Sequence, residues 1–232
     1  MKTIGLIGGM SWESTQVYYR ILNEKMKEKL GGSHSCECIL YSVDFAEVER
    51  LQHEGNWDAL ARQLTDIAIK LQAAGAELIL IGTNTMHKNF DTIQKQVDAP
   101  LLHIADTAAD AIVEQRMKRV GLIGTRFTME QDFYADRLRD HGIEVVIPDV
   151  KARMAIHEVI FFELTKGIIS DVSRRKLQNI VDNLEKKGAE GVVLGCTELP
   201  MLLDQQHSRL PLFDTTRLHA EAAVNAALRK HP

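Results

Sequence analysis

Apolar and polar positions follow two alternating patterns along this chain, and together they predict strands separated by helices. Short runs rich in β-branched residues or leucine predict strands; several are apolar throughout, as expected where helices cover both faces of a sheet. Strand–helix alternation at this spacing indicates βαβ units and mostly parallel sheets. The predicted strands are Thr3–Ile7, Cys38–Val43, Leu78–Ile81, Pro100–Ile104, Arg119–Ile123, Glu144–Ile147, Gly191–Leu194 and Pro211–Phe213. The predicted helices are Ser14–Lys29, Trp57–Ala74, Asp106–Gln115, Glu130–Asp140, Lys151–Lys166, Val172–Lys187 and Arg217–Lys230.

Segments of the first half recur in the same order in the second half. Gly-Leu-Ile-Gly occurs at 5–8 and again at 121–124. Gly-Ala-Glu, an apolar run and Gly-Thr-Asn occupy 75–84, and Gly-Ala-Glu, an apolar run and Gly-Cys-Thr occupy 188–197. A third match leads from Pro-Leu to Asp-Thr, once after position 100 and once after position 211. These matches indicate an internal duplication that makes Thr83 and Cys196 equivalent.

The duplication predicts two similar α/β domains, one formed by residues 1–103 plus 213–232 and the other by residues 104–212. Ligands of parallel sheets bind beyond the carboxyl ends of the strands, and Thr83 and Cys196 each follow a predicted strand. Pro200 suits the first turn of a helix, and a helix N-terminus lowers the pKa of a nearby thiol. We therefore expect Cys196 to be a reactive thiolate.

Three segments, Gly8–Thr15, Gly82–His87 and Gly195–Glu198, resemble the signature regions of the aspartate/glutamate racemase family. The resemblance covers essentially the whole chain, in the family's order and spacing. It implies two pseudo-symmetric, Rossmann-like α/β domains with the active site in the cleft between them. It also implies catalysis without pyridoxal phosphate or any other cofactor. Two thiols on opposite faces of the amino acid then act in turn, one removing the α-proton and the other returning one.

The sequence departs from the family at Thr83, where the first cysteine usually stands. The resemblance implies that Cys196 takes the α-proton from the L-enantiomer, with Thr83 on the opposite face. A hydroxyl is a much weaker acid than a thiol, so Thr83 can donate or relay a proton but should abstract one poorly. We expect turnover to be biased towards the L-substrate.

Further residues are expected to bind the substrate. Asn84, Thr85 and Thr197 suit the α-carboxylate, which backbone N–H groups can hold, although Asn and Thr are also common helix N-caps. By resemblance, Thr125 adds to that contact, and Arg50 and Lys166 bind the side-chain carboxylate of an acidic amino acid. A lysine before Gly167 is equally typical of a helix C-terminus. The remaining expected substrate contacts are Met10, Gln52 and Glu198.

Two other functions stay open. Loss of one thiol is also what a single-cysteine decarboxylase or isomerase of the same superfamily would show, because such an enzyme protonates a carbanion only once. A protein that binds an amino acid without turnover is the third hypothesis, but it would gain nothing from a reactive thiol at Cys196.

The composition limits the remaining classes. The 232 residues are 45% hydrophobic and 26% charged, with a net charge of −4 and no basic stripe that would indicate nucleic acid. No apolar run approaches the roughly 20 residues of a membrane span. Three cysteines are too few for a disulfide framework, so we expect a cytoplasmic protein. Cys36 and Cys38 share one face of a strand, which favours core packing over metal binding. Homodimers are common in the family that the sequence resembles, although no residue requires one.

Overall fold

The computed structural model describes residues 1–229; residues 230–232, including the predicted helix end at Lys230, lie outside the described part. The chain forms two compact units. The first comprises Met1–Ile104 and the segment from His219 onward, and the second comprises Ala105–Leu218.

The elements alternate as the hydrophobic pattern predicts. The strands are β1 (Ile4–Gly8), β2 (Cys38–Ser42), β3 (Leu78–Ile81), β4 (Arg119–Gly124), β5 (Glu144–Val146), β6 (Gly191–Gly195) and β7 (Leu212–Asp214). The α-helices are α1 (Trp12–Leu30), α2 (Phe45–His53), α3 (Trp57–Ala73), α4 (Phe90–Gln94), α5 (Ile104–Glu114), α6 (Arg126–Glu130), α7 (Asp132–Asp140), α8 (Val150–Phe162), α9 (Asp171–Lys186) and α10 (Thr215–Leu228). Short 3-10 helices occupy Thr85–Asn89, Leu164–Lys166, Leu199–Met201 and Gln205–His207.

The first unit contains a parallel sheet in which β1 lies between β2 and β3. Every residue of β1 and β3 is buried, whereas β2 is a more exposed edge strand. Alternate residues of β3 point into two different apolar clusters. Ile79 and Ile81 pack with residues of α3, while Leu78 and Leu80 pack with residues of α1 and α10. Helices on both faces explain why these central strands are apolar at every position.

The second unit contains a parallel sheet in the order β5-β4-β6-β7. Its central pair has the register of the first sheet: Gly5 lies opposite Ile79, and Gly121 lies opposite Val192. These are equivalent positions of the sequence repeat. The duplicated segments therefore form the same strand pair in each unit, and the predicted α/β fold with parallel sheets is confirmed.

Several predicted boundaries differ from the structure. The segment Pro100–Ile104 is not a strand: Leu101 makes a single bridge to Ile79, and α5 begins at Ile104, which leaves too few residues for a ladder. The helix predicted over Glu130–Asp140 is interrupted at Gln131, whose backbone is extended. The helix predicted over Lys151–Lys166 ends at Phe162 and is followed by the 3-10 turn Leu164–Lys166.

Two further differences concern α2 and the second unit's boundary. Helix α2 was not predicted; it begins after Asp44, whose side chain accepts a hydrogen bond from the backbone N–H of Ala46. The predicted division placed residues from Phe213 onward in the first domain. In the structure β7 pairs with β6, and the second unit continues to Leu218.

Candidate active site

In the first unit, predicted site residues follow two neighbouring strands at the same edge of the sheet. Met10 comes just after β1, and Thr83, Asn84 and Thr85 come just after β3. Because β1 and β3 are adjacent and parallel, both loops leave the carboxyl edge, where ligands of such sheets bind. All four residues are buried.

The turn after β3 is held close to β1. The backbone N–H of Gly82 donates to the carbonyl oxygen of Ile7 over 2.8 Å, and that of Thr83 donates to Ile81 over 2.8 Å. A Cβ at Gly82 would lie 3.0 Å from the carbonyl oxygen of Ile7. The glycine therefore lets the turn approach β1 and fixes the start of the Thr83 loop.

His87, in the 3-10 helix after β3, contacts the backbone of the same loop. Its Nδ1 lies 2.8 Å from the carbonyl oxygen of Thr83, and since a carbonyl only accepts, Nδ1 carries the proton. The His87 ring also lies edge-on to those of His103 and His219, with centroids 4.7 and 5.7 Å away. His87 thus contacts the backbone of Thr83 and helps to fix the conformation of the loop after β3.

The predicted substrate residues on α2 have different surroundings. Gln52 is buried, and its Nε2 lies 3.2 Å from the Met86 sulfur. Arg50 is exposed, and its Nη1 contacts both carboxylate oxygens of Glu54, at 2.8 and 2.7 Å. The guanidinium that was expected to bind a substrate carboxylate is thus already paired with the carboxylate of Glu54, the residue that follows α2.

In the second unit, the other predicted residues follow the equivalent strands. Thr125 comes just after β4, and Cys196, Thr197 and Glu198 come just after β6, its parallel neighbour. Gly124 and Gly195 lie opposite each other at the ends of these strands, and a Cβ at Gly124 would be 2.6 Å from the Gly195 carbonyl oxygen. This close backbone contact brings the two loops together at one edge.

The Cys196 thiol is buried and hydrogen-bonded to Glu198. Its Sγ lies 3.0 Å from Oε2 of Glu198, which also accepts a hydrogen bond from the Thr197 hydroxyl over 2.9 Å. Burial raises the pKa of the Cys196 thiol well above its ordinary value, and the negative charge of Glu198 and its hydrogen bond raise it further. The resting group is therefore a protonated thiol.

The expectation of a resting thiolate was wrong. It assumed that Pro200 begins a helix long enough for its N-terminus to stabilise a thiolate. Pro200 does lie at the start of a helical segment, but that segment is the single 3-10 turn Leu199–Met201. Backbone hydrogen bonds from Glu198 and Leu199 lower the pKa of the Cys196 thiol less than burial and the Glu198 carboxylate raise it.

Thr125 and Lys166 both lie at the ends of helical segments, where their residue types are common for structural reasons alone. The Thr125 hydroxyl caps α6 by accepting from the backbone N–H of Thr128 over 3.2 Å. Lys166 is exposed at the end of a 3-10 turn, directly before Gly167 in the left-handed conformation. Its Nζ lies 5.7 Å from the centroid of the Phe162 ring.

The chain belongs to the Asp/Glu/hydantoin racemase family, whose model matches residues 7–223. This match confirms the resemblance noted from the sequence. A broad-specificity amino-acid racemase from Bacillus subtilis (strain 168) is 24% identical over 230 residues, which is 97% of this chain and 98% of that protein.

Solved structures agree with the family assignment. A Yersinia pestis protein assigned as an Asp/Glu racemase is 50% identical, with a TM-score of 0.91, over 99% of this chain and 100% of that one. An aspartate racemase homologue from Pyrococcus horikoshii OT3 is 36% identical, with a TM-score of 0.85 and the same coverage of both chains.

Two structural features are absent from residues 1–229. In this part of the chain no group of three or more His, Cys, Asp or Glu side chains is arranged to hold a metal ion. None of its helices is both long and apolar enough to span a membrane.

Proposed function

We propose that this protein racemises an acidic amino acid by exchanging its α-proton, with Cys196 and Glu198 acting as one acid–base pair. The single observation that carries the proposal is the buried hydrogen bond between the Cys196 thiol and the Glu198 carboxylate, at the carboxyl edge of a parallel sheet. A carboxylate in this position can accept the thiol proton when substrate binds, and this creates the thiolate that the resting protein lacks.

The proton transfers run as follows. Glu198 takes the thiol proton, and the Cys196 thiolate removes the α-proton of the L-amino acid. The Thr83 hydroxyl, directly or through a water molecule, gives a proton to the opposite face of the resulting carbanion and recovers one from solvent. Glu198 then releases to solvent the proton that it took from the thiol, which restores the protonated Cys196 and the charged Glu198 of the resting protein. Glu198 therefore acts on the thiol rather than on the substrate, which revises its expected role.

The negative charge formed on the substrate needs stabilisation by fixed dipoles. Backbone N–H groups near Asn84, Thr85 and Thr197 are proposed to hold the α-carboxylate as it becomes enolate-like. We propose three further substrate contacts. They are Met10, which follows β1, Thr125, which follows β4, and Gln52, which lies on α2. The three free cysteines support the proposal that this reaction takes place in the cytoplasm.

Selection of an acidic substrate is proposed to depend on Arg50 and Lys166. Lys166 is exposed, and Arg50 would exchange its contact with Glu54 for the substrate's second carboxylate. Aspartate and glutamate are the substrates that the names of the relatives favour, and a wider range is suggested by the broad-specificity racemase of Bacillus subtilis.

A second candidate, decarboxylation of a diacid, is favoured by one specific observation. The Cys196 thiol is protonated at rest, and Thr83 carries no thiol, so the two positions together offer one acid able to protonate a carbanion once. Such an enzyme would release CO2 and would need no base on the opposite face.

Chiral chromatography of L-aspartate and L-glutamate incubated with the protein tests the proposal. We expect the D-enantiomer to form with the wild type and with Cys38→Ala, but not with Cys196→Ala. Release of CO2 from an arylmalonate-type diacid, without racemisation of either amino acid, would support the decarboxylase instead. Binding of aspartate by calorimetry without any reaction would indicate an amino-acid-binding protein.

A further inference from the structure

A polar cleft lies between α3 and the segment that contains α4, within the first unit. The cleft is open to solvent and has a volume of about 440 Å³, which is in the range of small-molecule sites. The residues that line it are different from the proposed catalytic and substrate-binding residues. Its charged and amide-bearing residues are Asp58, Arg62 and Asp66 on α3, and Asn89 and Gln96 on the opposite wall.

The three charges on the α3 wall are exposed and unpaired. Asp58, Arg62 and Asp66 recur every four residues, so they lie along one face of the helix in the order negative, positive, negative. Acidic and basic residues at this spacing commonly pair with each other. Within residues 1–229, however, none of these three side chains forms an ion pair or a hydrogen bond. All three charged groups are therefore available to a ligand in the cleft.

Asn89 contributes an uncharged hydrogen-bond donor to the opposite wall. The residue is 7% exposed, and its buried Nδ2 has no hydrogen-bond partner in the described part of the chain. A buried polar atom without a partner costs free energy, so folded proteins rarely contain one. Because Asn89 lines the cleft, an oxygen atom of a bound ligand can accept this missing hydrogen bond. The buried amide is the feature that an ordinary solvated helix surface does not explain.

We propose that this cleft binds an amino acid with a cationic side chain, such as lysine, arginine or ornithine. The α-carboxylate of the ligand contacts the Arg62 guanidinium and the Asn89 amide, and its two cationic groups contact the two aspartates. Asp58 and Asp66 are eight residues apart, which is about 12 Å along the helix axis. This separation suits two cationic groups at opposite ends of an extended molecule.

The charge of the cleft distinguishes this ligand from the proposed substrates of the racemase. Two carboxylates and one guanidinium give the α3 wall an excess of negative charge. At neutral pH a basic amino acid carries an excess of positive charge, whereas aspartate and glutamate carry an excess of negative charge. Electrostatic complementarity therefore favours the basic amino acid in the cleft. The inference does not depend on the reaction at Cys196.

Isothermal titration calorimetry of the full chain with L-lysine tests the inference. We expect the wild type to bind L-lysine, and Arg62→Gln and Asp66→Asn each to weaken binding by at least about 10-fold, because each removes one charged contact. Asp98→Asn, at an exposed carboxylate of the same unit outside the cleft, is the matched control and should bind like the wild type. Urea denaturation of each variant verifies that the fold is intact.

Two ligand analogues test the proposed contacts separately. L-Norleucine lacks the side-chain cation and cadaverine lacks the α-carboxylate, so each should bind at least about 10-fold more weakly than L-lysine. Three results would overturn the inference. One is the absence of lysine binding, and another is binding that both Arg62→Gln and Asp66→Asn leave unchanged, because lysine would then occupy a different site. The last is norleucine that binds as tightly as lysine.

Discussion

At the residue scale, the location of the Cys196 proton decides what the protein can do. The thiol donates to Glu198, and burial together with that carboxylate raises the pKa of the thiol. The same carboxylate thus opposes a resting thiolate and, in the proposed reaction, is the acceptor that allows one to form. Thr83, at the equivalent position of the repeat, has only a hydroxyl, so the two positions differ in proton-transfer ability.

Substituting Glu198 separates its two effects. In Glu198→Gln the pKa of the Cys196 thiol should fall, because a neighbouring negative charge is removed, yet α-proton exchange should fall by about 10²–10⁴-fold because the proton acceptor is lost. Thiolate absorbance against pH and exchange in D2O measure the two quantities. Glu158→Gln on α8, an exposed carboxylate, is the charge-matched control. Unchanged exchange in Glu198→Gln would contradict the acid–base pair.

Restoring a thiol at Thr83 should remove the asymmetry between enantiomers. In Thr83→Cys we expect α-proton exchange from the D-substrate to rise by at least about 10-fold, since a thiol supplies a far better base than a hydroxyl. Exchange from the L-substrate should change much less. Thr83→Ser, which keeps the hydroxyl, is the matched control; an equal rise in that variant would show that size, not acidity, is responsible.

At the element scale, the site loops depend on close backbone approach at the ends of the central strands. Gly9 has a φ of 85°, and a Cβ there would lie 2.4 Å from the carbonyl oxygen of Val43. No flexible side chain can move to relieve that contact, because the opposing atoms belong to the backbone. The loop after β1 is therefore compatible only with glycine at this position.

We expect Gly9→Ala to lower the free energy of unfolding by on the order of 3 kcal/mol or more, combining a backbone clash with a left-handed conformation. Gly32→Ala is the matched control, since Gly32 also has a positive φ, 57°, but a Cβ there meets nothing within 4 Å. That control should cost only about 1–2 kcal/mol. Urea denaturation measures both, and equal losses would mean that the Val43 contact is relieved elsewhere.

The sequence predicted the elements whose signals are local. Apolar runs located β1, β3, β4 and β6. The repeat also made Thr83 and Cys196 equivalent, and each residue does follow the equivalent strand of its unit. The sequence pattern did not predict α2, whose start depends on the Asp44 cap. It also predicted a strand at Pro100–Ile104, where α5 already begins at Ile104.

For the candidate site residues, the positions at the strand ends were easier to predict than the electrostatic interactions. Glu198 was expected to bind substrate, but its hydrogen bond to Cys196 depends on how the chain turns after β6. The Arg50–Glu54 pair has the ordinary spacing of helical ion pairs, and that spacing could have been noticed in the sequence. The effect of burial on the pKa of the Cys196 thiol could not be predicted from the sequence, because it depends on how the folded chain surrounds the thiol.

At the scale of the whole molecule, a buried histidine joins distant parts of the chain within the first unit. His219 on α10 is fully buried; its Nδ1 lies 2.9 Å from the Tyr18 hydroxyl on α1, and its Nε2 lies 3.1 Å from the Leu102 carbonyl oxygen. The carbonyl only accepts, so Nε2 carries the proton and Tyr18 donates to Nδ1. Burial, followed by the nearby His87, lowers the pKa of His219 from 6.5 to about 3.

This depressed pKa predicts how stability depends on pH. The unfolded chain protonates this histidine near pH 6.5 while the folded chain resists, so the unfolded state binds more protons below that pH. The contribution is complete above pH 6.5 and is lost as the pH falls towards 3. At pH 5 the loss should reach about 2 kcal/mol.

Urea unfolding at pH 7.5 and pH 5 tests that dependence. His219→Gln should be less stable at pH 7.5, because packing and hydrogen bonds are lost, but its stability should change less between the two pH values than that of the wild type. His34→Gln, at an exposed histidine, should retain the wild-type dependence. An unaltered pH dependence in His219→Gln would assign the effect to other groups.

α-Proton exchange of L- and D-aspartate in D2O, followed by NMR at equal protein concentration, tests whether Cys196 is the working base. If Cys196 with Glu198 is the working base and Thr83 a weak one, the L-enantiomer should lose its α-proton at least about 10-fold faster than the D-enantiomer, with formation of D-aspartate. Equal exchange rates from the two enantiomers would contradict a Cys196 base opposite a weakly acting Thr83.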